Sequence, residues 1–532
     1  MNLLLLFFGT MIALCILMNL LFDKLPIPSL LLFIAIGMCF GENGFLRISF
    51  NNYQLSETIC SVALLFIMFY GGFGTNIRAA RPVVVRSFLL STVGVVLTAG
   101  LVGGFVHLAL GLGWLESLLI GSVIASTDAA SVFSVLRTRR LSLKQGTDSL
   151  LELESGSNDP VSYMLTMLFL SLITGGSLSV PVMLFQQMVY GTLAGLLIGW
   201  ITVQILGRIN FHMAQGKTIF LFAAAIIAYA LPSVLGGNGY LSVYLCGIFI
   251  GNSFVPEKKD MVKFFDALTG TAQMLIFFLL GLLVTPLELP EVFLPSLLIF
   301  LFMTLVGRPL AVFAVLRPFG ASWGQMGLVS WAGLRGVASI VFSIYVVLAG
   351  VPMQYPLFNL VFMIVLLSLT IQGSLLPAVA RRLGMIDSGA NVLRTFNDYQ
   401  EENDVAFFRL TVREGHPYAG KAVRELPIPS ELLIAVLLRD GRPILTTGDT
   451  VICPGDLLVI AAPAFEDREN LTLYEMNLGK KHRWAGKLVR ELSPERDLLI
   501  IMVKRSGETI IPSGDTRLLP EDTLVVADPH AR

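Results

Sequence analysis

From the N-terminus to Arg382 the chain alternates long apolar runs with short polar connections. About thirteen of the runs are long enough to be read as membrane-crossing helices. They fall at residues 2–22, 28–41, 56–74, 87–110, 114–136, 147–173, 180–207, 217–235, 238–252, 262–285, 291–316, 324–349 and 356–380, and we number them as segments one to thirteen. The first has no basic stretch ahead of it and runs for about twenty residues, which reads as a retained span and not a cleaved leader. Basic residues occupy every other connection. Arg78, Arg81 and Arg86 follow segment three, and Arg137, Arg139, Arg140 and Lys144 follow five. Arg208 and Lys217 follow seven, Lys258, Lys259 and Lys263 follow nine, Arg317 follows eleven, and Arg381 and Arg382 follow thirteen. The connections after four, six, eight, ten and twelve hold no Lys or Arg. Such alternation predicts an N-terminus outside the cell and a C-terminal tail in the cytoplasm.

Two segments break the apolar pattern at matching places. Segment five has Ala125-Ser126-Thr127-Asp128 at its centre, and segment twelve has Ala332-Gly333-Leu334-Arg335-Gly336. They stand seven segments apart and so run in opposite directions. Interrupted helices at corresponding positions of two halves predict an inverted-repeat transporter with its site at the repeat interface. The broken ends would direct partial positive charge from N-termini and partial negative charge from C-termini toward mid-membrane. Asp128 and Arg335 carry the signs that balance them.

Segment six holds the densest chemistry, Leu153-Glu154-Ser155-Gly156-Ser157-Asn158-Asp159-Pro160. A carboxylate at mid-membrane costs roughly 2.5–3.5 kcal/mol even on the lenient scale, so it marks a functional site by default. On a helix, Ser155, Asp159 and Ser162 share one stripe, with Glu154 and Asn158 on the next. Pro160 has no N–H to give the carbonyl of Gly156 and would bend the helix beside Asp159. Carboxylate, hydroxyl, amide and carbonyl oxygens are the hard ligands that an alkali cation takes, and no sulfur or imidazole lies nearby. Burial favours the protonated carboxyl and a nearby cation favours the ionised one. Asp159 is therefore expected to hold a proton or a monovalent cation in turn, with Glu154 and Arg335 paired as a strut. Arg308, in Gly307-Arg308-Pro309, reads as a helix-end or domain-contact charge.

Composition removes other readings. Of 532 residues, 55% are hydrophobic and 14% charged, which fits an integral membrane protein. With 37 basic and 37 acidic residues, nothing draws the chain to nucleic acid. The five cysteines are odd in number and scattered, and the five histidines lack ligand spacing, so neither a disulfide framework nor a zinc site is expected. A tail-gated cation channel would need a Thr-Val-Gly-Tyr-Gly filter, which is missing. An intramembrane aspartyl protease built on Asp128 and Asp159 would need a Gly-x-Gly-Asp motif, also missing. We therefore expect a transporter and not an enzyme, with no cofactor.

Residues 383–403 turn polar and read as a linker. Beyond them the chain repeats itself with a shift of 66 residues. His416-Pro417-Tyr418-Ala419-Gly420-Lys421 returns as His482-Arg483-Trp484-Ala485-Gly486-Lys487, and Gly448-Asp449-Thr450 returns as Gly514-Asp515-Thr516. Each copy predicts a strand, a short helix (Gly420–Leu426, Gly486–Leu492) and β-rich runs at Leu432–Leu438 and Leu498–Val503. The expected domains are thus 1–382, a linker at 383–403, and repeats at 404–465 and 466–532.

The Ser126-Thr127-Asp128, Glu154-to-Pro160 and Gly333-to-Gly336 motifs together resemble those of the NhaP-type monovalent cation/proton antiporters, over residues 1 to about 382. The resemblance implies an inner-membrane homodimer of thirteen-span protomers, in which a core domain moves against a dimerisation domain. Asp159 would be the shared cation and proton site, shaped by Asn158, Ser155 and the backbone of Thr127. Exchange of potassium or sodium for a proton would be one for one and electroneutral. One departure stands out: many relatives carry an acid just before the Gly-Gly pair of segment three, where this chain has Phe69-Tyr70-Gly71-Gly72. Each tail copy is similar to the C-terminal module of potassium-conductance regulators (RCK-C or TrkA-C). No Gly-x-Gly-x-x-Gly marks the companion nucleotide-binding module. The two copies, around His416, Gly420, Asp449, His482, Gly486 and Asp515, are expected to regulate transport, through a twofold ligand such as cyclic di-AMP or simply by holding the dimer together.

Overall fold

The computed structural model describes residues 9–17, 29–42, 44, 47–48, 50, 52–138, 141–176, 179–209, 215–253, 255, 258–387, 405–414, 416–426, 428–429, 432–439, 442–463, 472–478, 484–492, 499–505, 508–510, 512–520 and 522–528. They fall into two compact units, residues 1–400 and 401–532.

The first unit is helical, and each of the thirteen expected segments holds helix. Segment one shows it at residues 9–17. Segments two and nine are short, at Ser29–Phe40 and Gly239–Gly251. By length and composition, seven helices among the described residues can cross a membrane: those of segments three, four, seven, eight, ten, eleven and thirteen. Segment six, Thr147–Thr174, is long enough at 28 residues but carries the charged centre. Segments five and twelve are interrupted as the sequence predicts. The first runs as Trp114–Val123 and then Ala129–Thr138, the second as Trp323–Trp331 and then Val337–Leu348.

The repeat extends beyond these breaks. A π-helical turn interrupts segment four at Leu90–Gly94 (Leu-Ser-Thr-Val-Gly) and segment eleven, seven positions later, at Met303–Gly307 (Met-Thr-Leu-Val-Gly). A third π turn, Ser368–Gly373, sits in segment thirteen, the counterpart of six. Each inserts a residue into the helical repeat, a feature common at functional sites.

Glycine contacts follow the same symmetry. A Cβ at Gly37 of segment two would run into the Phe278 carbonyl of segment ten, and one at Gly281 into the Ile34 carbonyl. In the paired position, a Cβ at Gly72 of segment three would strike the Tyr244 carbonyl of segment nine, and one at Gly247 the Phe69 carbonyl. Small residues let two backbones approach this closely where no hydrophobic force drives helices together. Segments two, three and seven to ten thereby pack into one group, and four to six with eleven to thirteen into another.

Connections after segments three, five, eleven and thirteen lie together. Ser142–Leu143 (β1) pairs antiparallel with Ile386–Asp387 (β2), the Ser322 hydroxyl donates to Gln145 Oε1 at 2.9 Å, and Arg86 lies over the Phe319 ring. Ile386 and Asp387 therefore belong to the helical unit, a correction to their reading as linker; residues 388–403 lie outside the described residues. At the other ends of the helices the Gln354 N–H donates to Glu116 at 3.0 Å and Asn359 to Glu288 at 2.9 Å.

The second unit contains two four-stranded antiparallel sheets. One has β3 (Val405–Thr411), β4 (Leu433–Arg439), β5 (Arg442–Leu445) and β6 (Leu457–Pro463) in the order β3-β6-β4-β5. The other repeats it with β7 (Thr472–Asn477), β8 (Leu499–Arg505), β9 (Glu508–Ile510) and β10 (Thr523–Asp528) in the order β7-β10-β8-β9. The helices expected at Gly420–Leu426 and Gly486–Leu492 shrink to single 3₁₀ turns, Val423–Glu425 and Val489–Glu491. Gly420 and Gly486 take positive φ, which helical propagation does not allow, and their N–H groups bond back to Ile452 and Leu518.

If the close glycine contacts hold the helical unit, Gly72→Val and Gly281→Val should each cost about 1–3 kcal/mol or more through forced separation of packed backbones. A Cβ at Gly104 meets nothing within 4 Å, so Gly104→Ala should leave stability unchanged or raise it. Thermal unfolding of purified protein in detergent separates the two outcomes.

Candidate functional site

The two broken segments cross at their non-helical centres. The Asp128 N–H donates to the Leu334 carbonyl at 2.8 Å, joining the extended pieces. Gly336 approaches so closely that any Cβ there would collide with the Asp128 carboxylate. Asp128 precedes the helix Ala129–Thr138 and accepts from the Ser131 N–H at 3.3 Å and the Ser131 hydroxyl at 2.5 Å. It thus caps the positive end of that half-helix. Arg335 does the converse. Fully buried, it donates through Nη1 to the carbonyls of Ala125 (2.7 Å) and Ser126 (2.8 Å), just past the C-terminus of Trp114–Val123. Asp128 and Arg335 thus each contact a half-helix end of opposite partial charge.

Segment six lies against this crossing. Its helix buries Glu154, Ser155, Asn158, Asp159 and Ser162. The Ser155 hydroxyl donates to the Thr127 carbonyl at 2.6 Å, and Asn158 Nδ2 donates to Thr127 Oγ1 at 2.5 Å. One turn on, the Ser162 hydroxyl donates to the Ser122 carbonyl at 2.5 Å. The Ser126 hydroxyl donates to Asp159 Oδ1. Asp159, Asn158, Ser155 and Thr127 are brought together, and the break in segment five is held by hydroxyls and an amide from segment six. Asn158 Oδ1 is buried with no hydrogen-bond partner. A buried acceptor without a donor is costly unless something positive visits it.

Glu154 corrects the expected pairing. Its carboxylate accepts both bonds from Arg308 Nη2, at 2.6 and 2.7 Å, and both side chains are almost wholly buried. The partner is Arg308 of segment eleven and not Arg335, whose described side-chain bonds go to the half-helix carbonyls. Arg308 is correspondingly no helix-end charge. It stands directly after the π turn of segment eleven, and a Cβ at Gly333 would lie 3.0 Å from its Nε. Its intramembrane position beside Pro309 was the available signal. Segment thirteen completes the frame. Ser368 accepts from the Arg335 N–H at 3.0 Å and donates to Gln372 at 2.6 Å, while Gln372 and Trp331 exchange side-chain-to-carbonyl bonds.

Sequence reasoning also missed Ser126 as the donor to Asp159, and two residues of segment nine. Asn238 donates to the Pro160 carbonyl at 2.8 Å, and the Ser157 hydroxyl donates to the Tyr244 hydroxyl at 3.3 Å.

In the tail, the two repeats build the same polar frame. Arg439 holds Asp456 by two bonds of 2.8 Å and reaches the Val451 carbonyl; Arg505 treats Asp522 and the Arg517 carbonyl identically. These guanidinium contacts keep both carboxyls below the ordinary carboxylate range. Asp449 and Asp515 form exposed pairs with Arg424 and Arg490 at 2.7 and 2.6 Å. Nδ1 of His416 accepts the Tyr418 N–H at 3.2 Å. His482 lies outside the described residues.

Removing Arg308 strands a buried carboxylate, so Arg308→Met should cost about 3–5 kcal/mol. Adding Glu154→Gln should recover much of that loss. A double-mutant cycle read by thermal unfolding should give strong coupling for Glu154 with Arg308 and weak coupling for Glu154 with Arg335.

Comparison with known proteins agrees with this architecture. Residues 10–382 match the family described as sodium/hydrogen exchanger, transmembrane, and residues 407–464 and 473–530 each match the TrkA-C domain. The chain is 33% identical over 465 residues to the "K(+)/H(+) antiporter NhaP" of Alkalimonas amylolytica, covering 86% of this chain and 81% of that one. It is 32% identical over 458 residues to the "K(+)/H(+) antiporter NhaP2" of Shewanella oneidensis, covering 84% and 79%. The solved sodium proton antiporter MjNhaP1 of Methanocaldococcus jannaschii superposes with a TM-score of 0.63 at 24% identity, over 72% of this chain and 99% of that one, and so shares the fold. The chain therefore belongs to the sodium/hydrogen exchanger family, as an NhaP-type cation/proton antiporter with a tandem TrkA-C tail.

Proposed function

We propose that the chain exchanges potassium for protons, one for one, through Asp159, with sodium as the second cation. The observation that carries this is the buried Asp159 beside an Asn158 amide oxygen that has no partner. A cation at Asp159 gains the carboxylate, that amide oxygen and the Ser126 hydroxyl; a proton there removes the charge that would bind it. The two ligands exclude each other, so a carrier that changes sides loaded with either is an exchanger. Glu154 is paired with Arg308 and Asp128 caps the half-helix Ala129–Thr138, whereas the partner described for Asp159 is the Ser126 hydroxyl. Equal charge in each direction spares the cycle the roughly 2.3 kcal/mol per charge that 100 mV would add. The curated relatives named above as potassium/proton antiporters support potassium as the cation.

The same reading takes thirteen crossings with the N-terminus outside and the tail in the cytoplasm of a bacterial inner membrane. Exposed apolar side chains on Val180–Arg208, among them Phe185, Leu193 and Trp200, suit lipid or a second protomer in a homodimer. We place the linker after Ile386–Asp387, which pair with the helical unit, and the two tail repeats at 404–465 and 466–532. The exposed Arg424–Asp449 and Arg490–Asp515 pairs, repeated on two like modules, suit a twofold ligand such as cyclic di-AMP that sets transport rate.

In vesicles holding a trapped pH-sensitive dye, potassium or sodium added outside should drive proton movement. Half-saturation should come at lower potassium than sodium, and Asp159→Asn should bring exchange to background. Exchange that survives in Asp159→Asn contradicts the assignment. Calorimetry of the full-length protein with cyclic di-AMP should give a saturable heat; none at millimolar ligand discards that ligand.

A further inference from the structure

A second polar cluster lies one helical turn from Asp159, away from the connections that carry the basic residues. Tyr163 of segment six, Tyr229 of eight, Tyr240 of nine and Tyr345 of twelve converge there with Ser61 and Glu57 of three. The Ser61 hydroxyl donates to Glu57 Oε1 at 2.9 Å and lies 2.8 Å from the Tyr345 hydroxyl, which is 3.3 Å from that of Tyr240. Each hydroxyl has one proton, and that of Ser61 is committed to a carboxylate. The order of donation follows: Tyr240 to Tyr345, Tyr345 to Ser61, Ser61 to Glu57. The Tyr163 ring meets those of Tyr240 and Tyr345 edge-on at 5.2 and 5.9 Å, and Tyr229 lies 5.0 Å from Tyr240.

These contacts cross the boundary between the two helix groups. Tyr345 and Tyr163 belong to the group that holds Asp159. Ser61, Glu57, Tyr229 and Tyr240 belong to the other. Among the hydrogen bonds described, the remaining side-chain links across this boundary are Asn238 to Pro160 and Ser157 to Tyr244, which flank Asp159 itself. We propose that Tyr345 is the hub of a latch that closes the outer side of Asp159, and that its hydroxyl, through Ser61 and Tyr240, sets the balance between inward-facing and outward-facing carrier. The inference rests on the exchange reading above. Sliding one helix group past the other must break both Tyr345 bonds, so they stabilise the outward-closed state and are lost in the outward-open one. Tyr345 is a positioning residue: it touches neither the cation nor the carboxyl that binds it.

The test uses full-length protein in vesicles, with the half-saturating potassium concentration measured separately at each face. Tyr345→Phe keeps the ring and removes both hydrogen bonds. It should lower the half-saturating concentration at the outer face roughly threefold to tenfold and raise that at the inner face, since one neutral hydrogen bond is worth a few-fold in an equilibrium. Ser61→Ala should shift both values the same way, the double variant should add little to either single one, and Ser61→Thr should restore the wild-type values. A fall in maximal rate with both half-saturating concentrations unchanged would show a merely structural role and overturn the latch. So would a shift in the opposite sense. Loss of exchange in wild-type vesicles would instead overturn the exchange reading.

Discussion

A charged group buried at mid-membrane must find compensation close by, and this protein meets that constraint with the ends of broken helices. Stopping segments five and twelve halfway exposes carbonyls and N–H groups that no water can satisfy. Arg335 satisfies the carbonyls of Ala125 and Ser126, and Asp128 caps the helix that restarts beyond the break. Each charge is held by the helix end it neutralises, so neither could remain if the helix were continuous. Gly336 is the residue that lets segments five and twelve come this close.

That arrangement decides what the remaining acids do. Glu154 and Arg308 neutralise each other in the low dielectric, across segments six and eleven of the two repeats. Asp159 receives hydroxyl donation from Ser126, and the amide oxygen of its neighbour Asn158 is buried without a donor. Glu154 is held by an arginine and Asp128 by a helix end, and Asp159 has neither among its described contacts. The glycine contacts between two and ten, and between three and nine, give the other helix group its own close backbone packing.

Much of this was legible in the sequence, because a polar residue inside an apolar run announces itself. The breaks at Ser126–Asp128 and Gly333–Gly336, the Asn158–Asp159 pair and the 66-residue tail repeat all stand out without coordinates. Partner choice did not. Glu154 has two arginines within the same bundle, and which one it meets depends on how segments cross, a tertiary fact that spacing along the chain does not encode. The π turns of segments four, eleven and thirteen were equally hidden, since one inserted residue leaves an apolar run looking unchanged. In the tail, the strands followed their β-branched runs, whereas the expected helices gave way to 3₁₀ turns at left-handed glycines.

The central claim is that one carboxyl holds either a proton or a cation. It is tested most directly by counting protons as potassium binds to detergent-solubilised protein in weakly buffered solution containing a pH indicator, with Asp159→Asn as control. The account predicts close to one proton released per potassium bound by the wild type and none from the variant. Potassium binding without proton release in the wild type would contradict it.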